Sequence, residues 1–128
     1  KAKNINFYPL TENVLSNTEF KKPFDVTLLG MGEDGHFASL FPDMINQYEA
    51  FDLNASPKIL ITPPQGNPLI PRITMNLSLI MESLNIILLV KGKVKQNIFE
   101  KAQKEKKLPI HHLIKNRNSD FFIEKVND

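Results

Sequence analysis

The chain predicts an α/β domain with a mostly parallel sheet flanked by helices. Three observations carry this. The segments "FDVTLL" (residues 24–29) and "NIILLV" (residues 85–90) are continuous apolar, β-branched runs, the pattern of strands buried on both faces. From residue 93 to 107 the apolar positions are Val94, Ile98, Phe99 and Ala102, one stripe of a helix with lysines and glutamates around the rest. That helix follows its strand directly, the order of a strand–helix repeat.

The remaining elements are read in order. "NINFY" (residues 4–8) alternates polar and apolar and predicts a short strand stopped by Pro9. Residues 11–23 are mostly polar and read as a short helix and a linker. Residues 1–23 read as a linker or peripheral segment, 24–128 as the working portion, and the chain as a single α/β domain or the C-terminal part of one. After Gly30, "FASLF" (residues 37–41) predicts one or two helical turns before Pro42, and residues 41–58 carry no clear pattern. "KILITP" (58–63) is a second short strand and "PPQGNPLIP" (63–71) a Pro/Gly loop. "RITMNLSLIMESL" (72–84) begins extended and turns helical near Leu77. Pro109 stops the helix that starts at residue 93, and "FFIEKV" (121–126) predicts a last strand. The phenylalanines at 20, 24, 37, 41, 51, 99, 121 and 122 are assigned to the core or its margin.

Composition narrows the classes of function. At 128 residues the chain suits one modest core, and 41% hydrophobic with 23% charged residues is the range of a soluble globular protein. A net charge of +2 is too small to argue for a nucleic-acid or membrane surface. With no cysteine, disulfides and thiolate zinc sites are excluded. The longest apolar run, residues 86–90, cannot span a bilayer, and no signal-peptide pattern opens the chain, so the cytoplasm is the default expectation. The first residue is Lys1, which points to a processed piece or a fragment.

Chemistry concentrates in "LLGMGEDGHFASLFP" (residues 28–42), where Gly30, Gly32 and Gly35 spell G-x-G-x-x-G after an apolar strand. A dinucleotide fingerprint also needs a long helix from the third glycine and an acid about 20 residues on, at the end of a second strand. Pro42 cuts any helix short, and Glu49 and Asp52 follow no apolar strand. The alternative is a strand-end loop, with glycines where side chains would clash, displaying Glu33, Asp34 and His36. Asp34 lies close enough in sequence to orient the His36 imidazole as a general base. The plain structural reading, with Asp34 capping a short helix and His36 packing beside it, stays open at this point. His111 and His112 suggest a metal, but adjacent histidines diverge in regular structure and no third ligand stands at helical spacing. A surface turn after Pro109 is the expectation there, and no metal is assigned.

"FDVTLLGMGEDGHFASLFP" resembles the signature of 6-phosphogluconolactonases, hydrolases of sugar-phosphate lactones in the pentose phosphate route. "PRITMNLSLI" (71–80) is similar to that family's P-x-R-I-T-L-x-L segment, and "LLVKGKVKQNIFEKA" (88–102) to its strand, Gly-x-x-Lys and helix. The resemblance implies a Rossmann-like sheet of the sugar-phosphate isomerase/deaminase type. It implies catalysis by His36, oriented by Asp34, on a sugar-phosphate lactone, with no cofactor. It further implies an oxyanion site in the backbone of the loop of Gly30, Gly32 and Gly35. Arg72 stands at the family's phosphate-binding arginine, and Lys95 at the lysine of Gly-x-x-Lys, in the first turn of its helix. Lys91, Lys93, Lys101, Lys104, Lys106 and Lys107 read as solvated lysines. Related glucosamine-6-phosphate deaminases carry a glutamate five residues after the histidine, where this chain has Phe41, so the lactonase is favoured over the deaminase.

The resemblance covers only the C-terminal half of the family pattern. Residues 1–23 hold nothing like the Ser-Gly-Gly-Ser-type phosphate loop of the other half. The expectation is an incomplete portion of the fold, with an uncovered sheet edge and apolar surface, and little lactonase activity by itself. A non-catalytic sugar-phosphate binding module is the third reading.

Overall fold

A computed structural model describes residues 7–17, 20–116 and 121–126, leaving the side chains of Phe121 and Phe122 outside the description. Its strands are β1 (Val26–Gly30), β2 (Ile59–Ile61), β3 (Ile73–Met75), β4 (Asn85–Lys91) and β5 (Phe121–Val126). Its helices are α1 (Tyr48–Phe51), α2 (Leu77–Met81), α3 (Lys93–Ala102) and α4 (Pro109–Asn116). β1, β4 and β5 form a parallel sheet in the order β1-β4-β5, and β2 and β3 an antiparallel pair beside it. The α/β class and the parallel sheet are thus as the apolar runs predict.

One face of the sheet makes the core. Leu29, Ile86, Leu88 and Val90 are buried against Phe99 and Ala102 of α3 and Ile110 and Leu113 of α4. The opposite face is different. Val26 is 52% exposed, Leu28 62% and Leu89 37%, and register pairing puts Leu28 beside Ile87 and Gly30 beside Leu89. Parallel sheets are covered on both faces as a rule, so an apolar face open in this chain is an anomaly. A second, smaller cluster joins Val14, Ile59 and Leu79 to Tyr8, Leu10, Leu15, Phe20 and Phe24.

Several expectations change. Residues 37–41 form no helix: Phe37 bridges Met31 and Leu40, and Ala38 takes a left-handed φ of 49°, which no right-handed helix tolerates. The first turn after the loop is a 3-10 turn at Pro42–Met44. Residues 41–58 also hold α1. Residues 4–6 lie outside the described residues, and Phe7 and Tyr8 are not in a strand. Among the described residues of 11–23 the helical element is a 3-10 turn at Val14–Ser16. The largest correction is α4. Pro109 was expected to end a helix and a surface turn to follow, but Pro109 begins one, because a first helical residue needs no N–H partner. His111 is consequently buried, and its Nδ1–H donates to Ala102 O at 2.7 Å. Among the described residues no group of three His, Cys, Asp or Glu side chains is placed to hold a metal.

Candidate functional site

In a parallel pair both strands end at the same rim. β1 ends at Gly30 and β4 at Lys91, so the loop after β1 and the first turn of α3 meet at the carboxyl end of the sheet. That is the end where α/β sheets bind ligands.

Within the loop each glycine has its own reason. A side chain on Gly32 would begin 2.2 Å from Nδ1 and Cε1 of His36 and 2.8 Å from Asp34 Oδ1. Gly32 is therefore the surface on which the imidazole lies. Gly35 has φ +80°, and a Cβ there would press on Leu108 at 3.3 Å. Its carbonyl accepts from Ile110 N–H at 2.9 Å, so the loop is pinned to the first turn of α4. Gly30 is a correction to the expectation of a clash: nothing lies within 4 Å of a Cβ built there. Its missing side chain leaves open space in the cleft. The oxyanion expectation also changes for two of the three. The N–H of Gly32 donates to His36 O at 2.8 Å and that of Gly35 to Gly32 O at 3.1 Å, so both are used in holding the loop.

Asp34 and His36 meet as the spacing suggests. Asp34 Oδ1 accepts from His36 Nδ1–H at 2.6 Å and from the His36 backbone N–H at 3.1 Å. A carboxylate only accepts here, so in the neutral imidazole the proton sits on Nδ1 and Nε2 carries the lone pair. The ring is half-buried at 33% side-chain exposure, and Asp34 is exposed. Phe41, itself buried, lies against the imidazole with ring centroids 4.6 Å apart.

His36 and Ala38 line two clefts. One, of about 390 Å³, is completed by Leu28, Leu29, Gly30, Met31, Gly32 and Lys95. The other, of about 190 Å³, is completed by Ser39, Phe41, Gly66, Asn67 and Arg72. The two cations are thus brought to either side of the imidazole rather than into one cleft. Lys95, half-buried, stands in the first turn of α3, where the helix end already favours anions. Arg72 is held by its own loop: Nε donates to Gln65 O at 3.4 Å and Nη2 to Pro68 O at 3.0 Å. Lys91, Lys93, Lys101, Lys104, Lys106 and Lys107 are exposed.

Three polar residues escaped the sequence reading, each inside or beside "PRITMNLSLI". Thr62 Oγ1 accepts from Arg72 N–H, and Thr74 Oγ1 from Ser39 N–H, both at 3.1 Å. Asn76, fully buried, caps α2 by accepting from Leu79 N–H and also accepts from Lys58 N–H, while its amide donates to Glu49 O and Ser56 O. Only the cap at Asn76 carries a short-range signal, an Asn three residues before its partner; the other partners are distant in sequence. His112 also gained a role: its Nε2–H donates to Lys106 O at 2.9 Å and its ring meets Phe51 edge-on. Burial lowers its pKa below 6.5, and the nearby charge of His111 and Lys106 adds to that. The hydrogen bond to Lys106 O opposes it.

The sequence pattern described as glucosamine-6-phosphate isomerases/6-phosphogluconolactonase matches residues 9–123, beginning before the motif resemblance at Phe24. A 6-phosphogluconolactonase of Thermotoga maritima is 32% identical over 105 residues, covering 80% of this chain and 43% of that protein. One of Caulobacter vibrioides is 36% identical over 126 residues, covering 90% and 54%. The crystal structure of the Thermotoga maritima 6-phosphogluconolactonase superposes with a TM-score of 0.67 at 29% identity, covering 91% of this chain and 48% of that one. The chain spans about half the length of the curated relatives it matches.

Proposed function

Because this chain belongs to the glucosamine-6-phosphate isomerase/6-phosphogluconolactonase family, we propose that it carries the catalytic portion of a hydrolase of 6-phospho-D-glucono-1,5-lactone. The observation that carries the reading is the 2.6 Å contact that fixes the Nδ1–H tautomer of His36 between clefts holding Arg72 and Lys95. In this reading Nε2 takes a proton from a water that attacks C1 of the lactone. The carbonyl electrons move onto oxygen, then return as the C1–O5 bond breaks. The His36 imidazolium gives its proton to O5, leaving the open-chain acid. Asp34 keeps the ring oriented and offsets its transient charge. Gly30 leaves room for the lactone, and the planar fork of Arg72 suits the phosphate oxygens, with Lys95 adding positive charge from the other cleft.

We read the matched portion as the C-terminal half of the family pattern, acting in the pentose phosphate route in the cytoplasm. The remaining half would lie against the open face of β1 and β4. The exposure of Val26, Leu28 and Leu89 supports this. The 128-residue chain by itself should then hydrolyse the lactone weakly or not at all. The test is an assay of lactone hydrolysis by this chain and by the longest form its reading frame encodes. Catalysis above the spontaneous rate in the longer form is expected. Ammonia release from glucosamine 6-phosphate would favour the deaminase. Binding of 6-phosphogluconate without turnover in the longer form would favour a binding module.

A further inference from the structure

We propose that Phe41 is a positioning residue that sets both the imidazole of His36 and the loop that carries Arg72. The kinetic part of this rests on the hydrolase reading above; the geometric part does not.

The sequence offers Phe41 only as a core residue and as the place where a glutamate is missing. Its surroundings say more. The ring is 4% exposed and sits on the face of His36, with 35° between the planes. Gly32 lies close to Nδ1 and Cε1 and Asp34 holds Nδ1, and Phe41 adds a packing contact on the ring that backs the hydrogen bond. The other end of the same ring meets the Pro/Gly loop. A Cβ on Gly66 would lie 3.1 Å from Phe41 Cζ and 3.2 Å from Cε1, and 3.3 Å from Arg72 Nη2. Gly66, at φ +74°, borders the aromatic ring, and a side chain there would crowd it. Arg72 is tied to this loop through Gln65 O and Pro68 O. One rigid side chain therefore packs on the base and borders the loop that carries the cation, so its size bears on the placement of both. Interiors transmit such displacements because they are close-packed.

Two substitutions separate the two contacts. Phe41→Leu removes the aromatic face. Phe41→Tyr keeps it but adds a hydroxyl at Cζ, the ring atom nearest the empty Cβ position of Gly66. The first readout is the NMR spectrum of the 128-residue chain. A ring stacked on His36 shields its carbon-bound protons, so in Phe41→Leu the His36 ring signals move downfield while those of His111 stay. In Phe41→Tyr the His36 signals hold and the amide signals of Gly66 and Asn67 shift. The second readout is kinetic, in the longest form of the protein. Phe41→Leu lowers kcat about tenfold or more, the scale of a misplaced catalytic group. Phe41→Tyr leaves kcat within about twofold and raises KM about fivefold, as a shifted cation should. Unmoved His36 signals in Phe41→Leu, or Phe41→Tyr indistinguishable from Phe41→Leu in both readouts, would overturn the proposal. Should Phe41→Leu fail to fold, unmoved Gly66 and Asn67 signals in Phe41→Tyr overturn it equally. If the wild type hydrolyses no lactone, the hydrolase reading fails while the spectra still decide the role of Phe41.

Discussion

Gly32 lacks a side chain where the imidazole of His36 needs the space. A methyl group there would overlap Nδ1 and Cε1, so Gly32→Ala must push the ring off Asp34. In the longest form of the protein, kcat should fall about 10²-fold with KM changed little, since a displacement of about 1 Å costs that much. Arg72→Ala should do the reverse, raising KM about 10- to 100-fold through loss of a charge-assisted contact worth roughly 1.5–3 kcal/mol. Steady-state kinetics checks both; equal effects of the two variants on kcat and KM would contradict the division of roles. At this scale the sequence was informative where partners are neighbours: Asp34 and His36 are two residues apart. It was silent on the contact of Phe41 with His36, which depends on the turn between them, and on the left-handed Ala38.

The elements explain why the loop is held where it is. α4 begins at Pro109, and its first turn receives the Gly35 carbonyl, so a helix that the sequence hid behind a proline anchors the site. A proline is ambiguous by itself, because it ends one helix as readily as it begins another. "PRITMNLSLI" is similarly double: Arg72 faces a cleft, whereas Asn76 ties α2 to residues 49, 56 and 58. Asn76→Ala should cost about 3 kcal/mol, from a lost helix cap and buried groups left without partners, measured by denaturant unfolding. A loss below about 1 kcal/mol would contradict its role as a hub. His112 makes stability depend on pH. Its folded pKa lies below 6.5, mainly from burial, so the unfolded chain binds the proton more readily. This contribution is whole above about pH 6.5 and is lost as pH falls from there through the lower folded value. His112→Gln should flatten the fall in Tm across that window, and an unchanged slope would contradict the assignment.

For the molecule as a whole, the open face of the sheet sets it apart from a fully covered parallel sheet. The apolar runs at residues 24–29 and 85–90 read as strands buried twice over, yet β1 and β4 bury one face here. The sequence was thus legible in fold class and in the parallel sheet, but not in the order of its strands or in the exposure of one face. Val26→Asp tests that. In the 128-residue chain Val26 is 52% exposed, so the change should shift stability by no more than about 0.5 kcal/mol. In the longest form a covered carboxylate should cost several-fold more. Equal effects in both forms would mean that nothing covers the face. The role proposed for His36, set by Asp34, as the base of a lactone hydrolysis stands or falls on one comparison. It is kcat for 6-phospho-D-glucono-1,5-lactone in the wild type and in His36→Ala of the longest form, with binding of 6-phosphogluconate measured alongside. The account predicts a loss of about 10²- to 10⁴-fold in kcat with binding largely retained. A His36→Ala variant with near-normal kcat would contradict it.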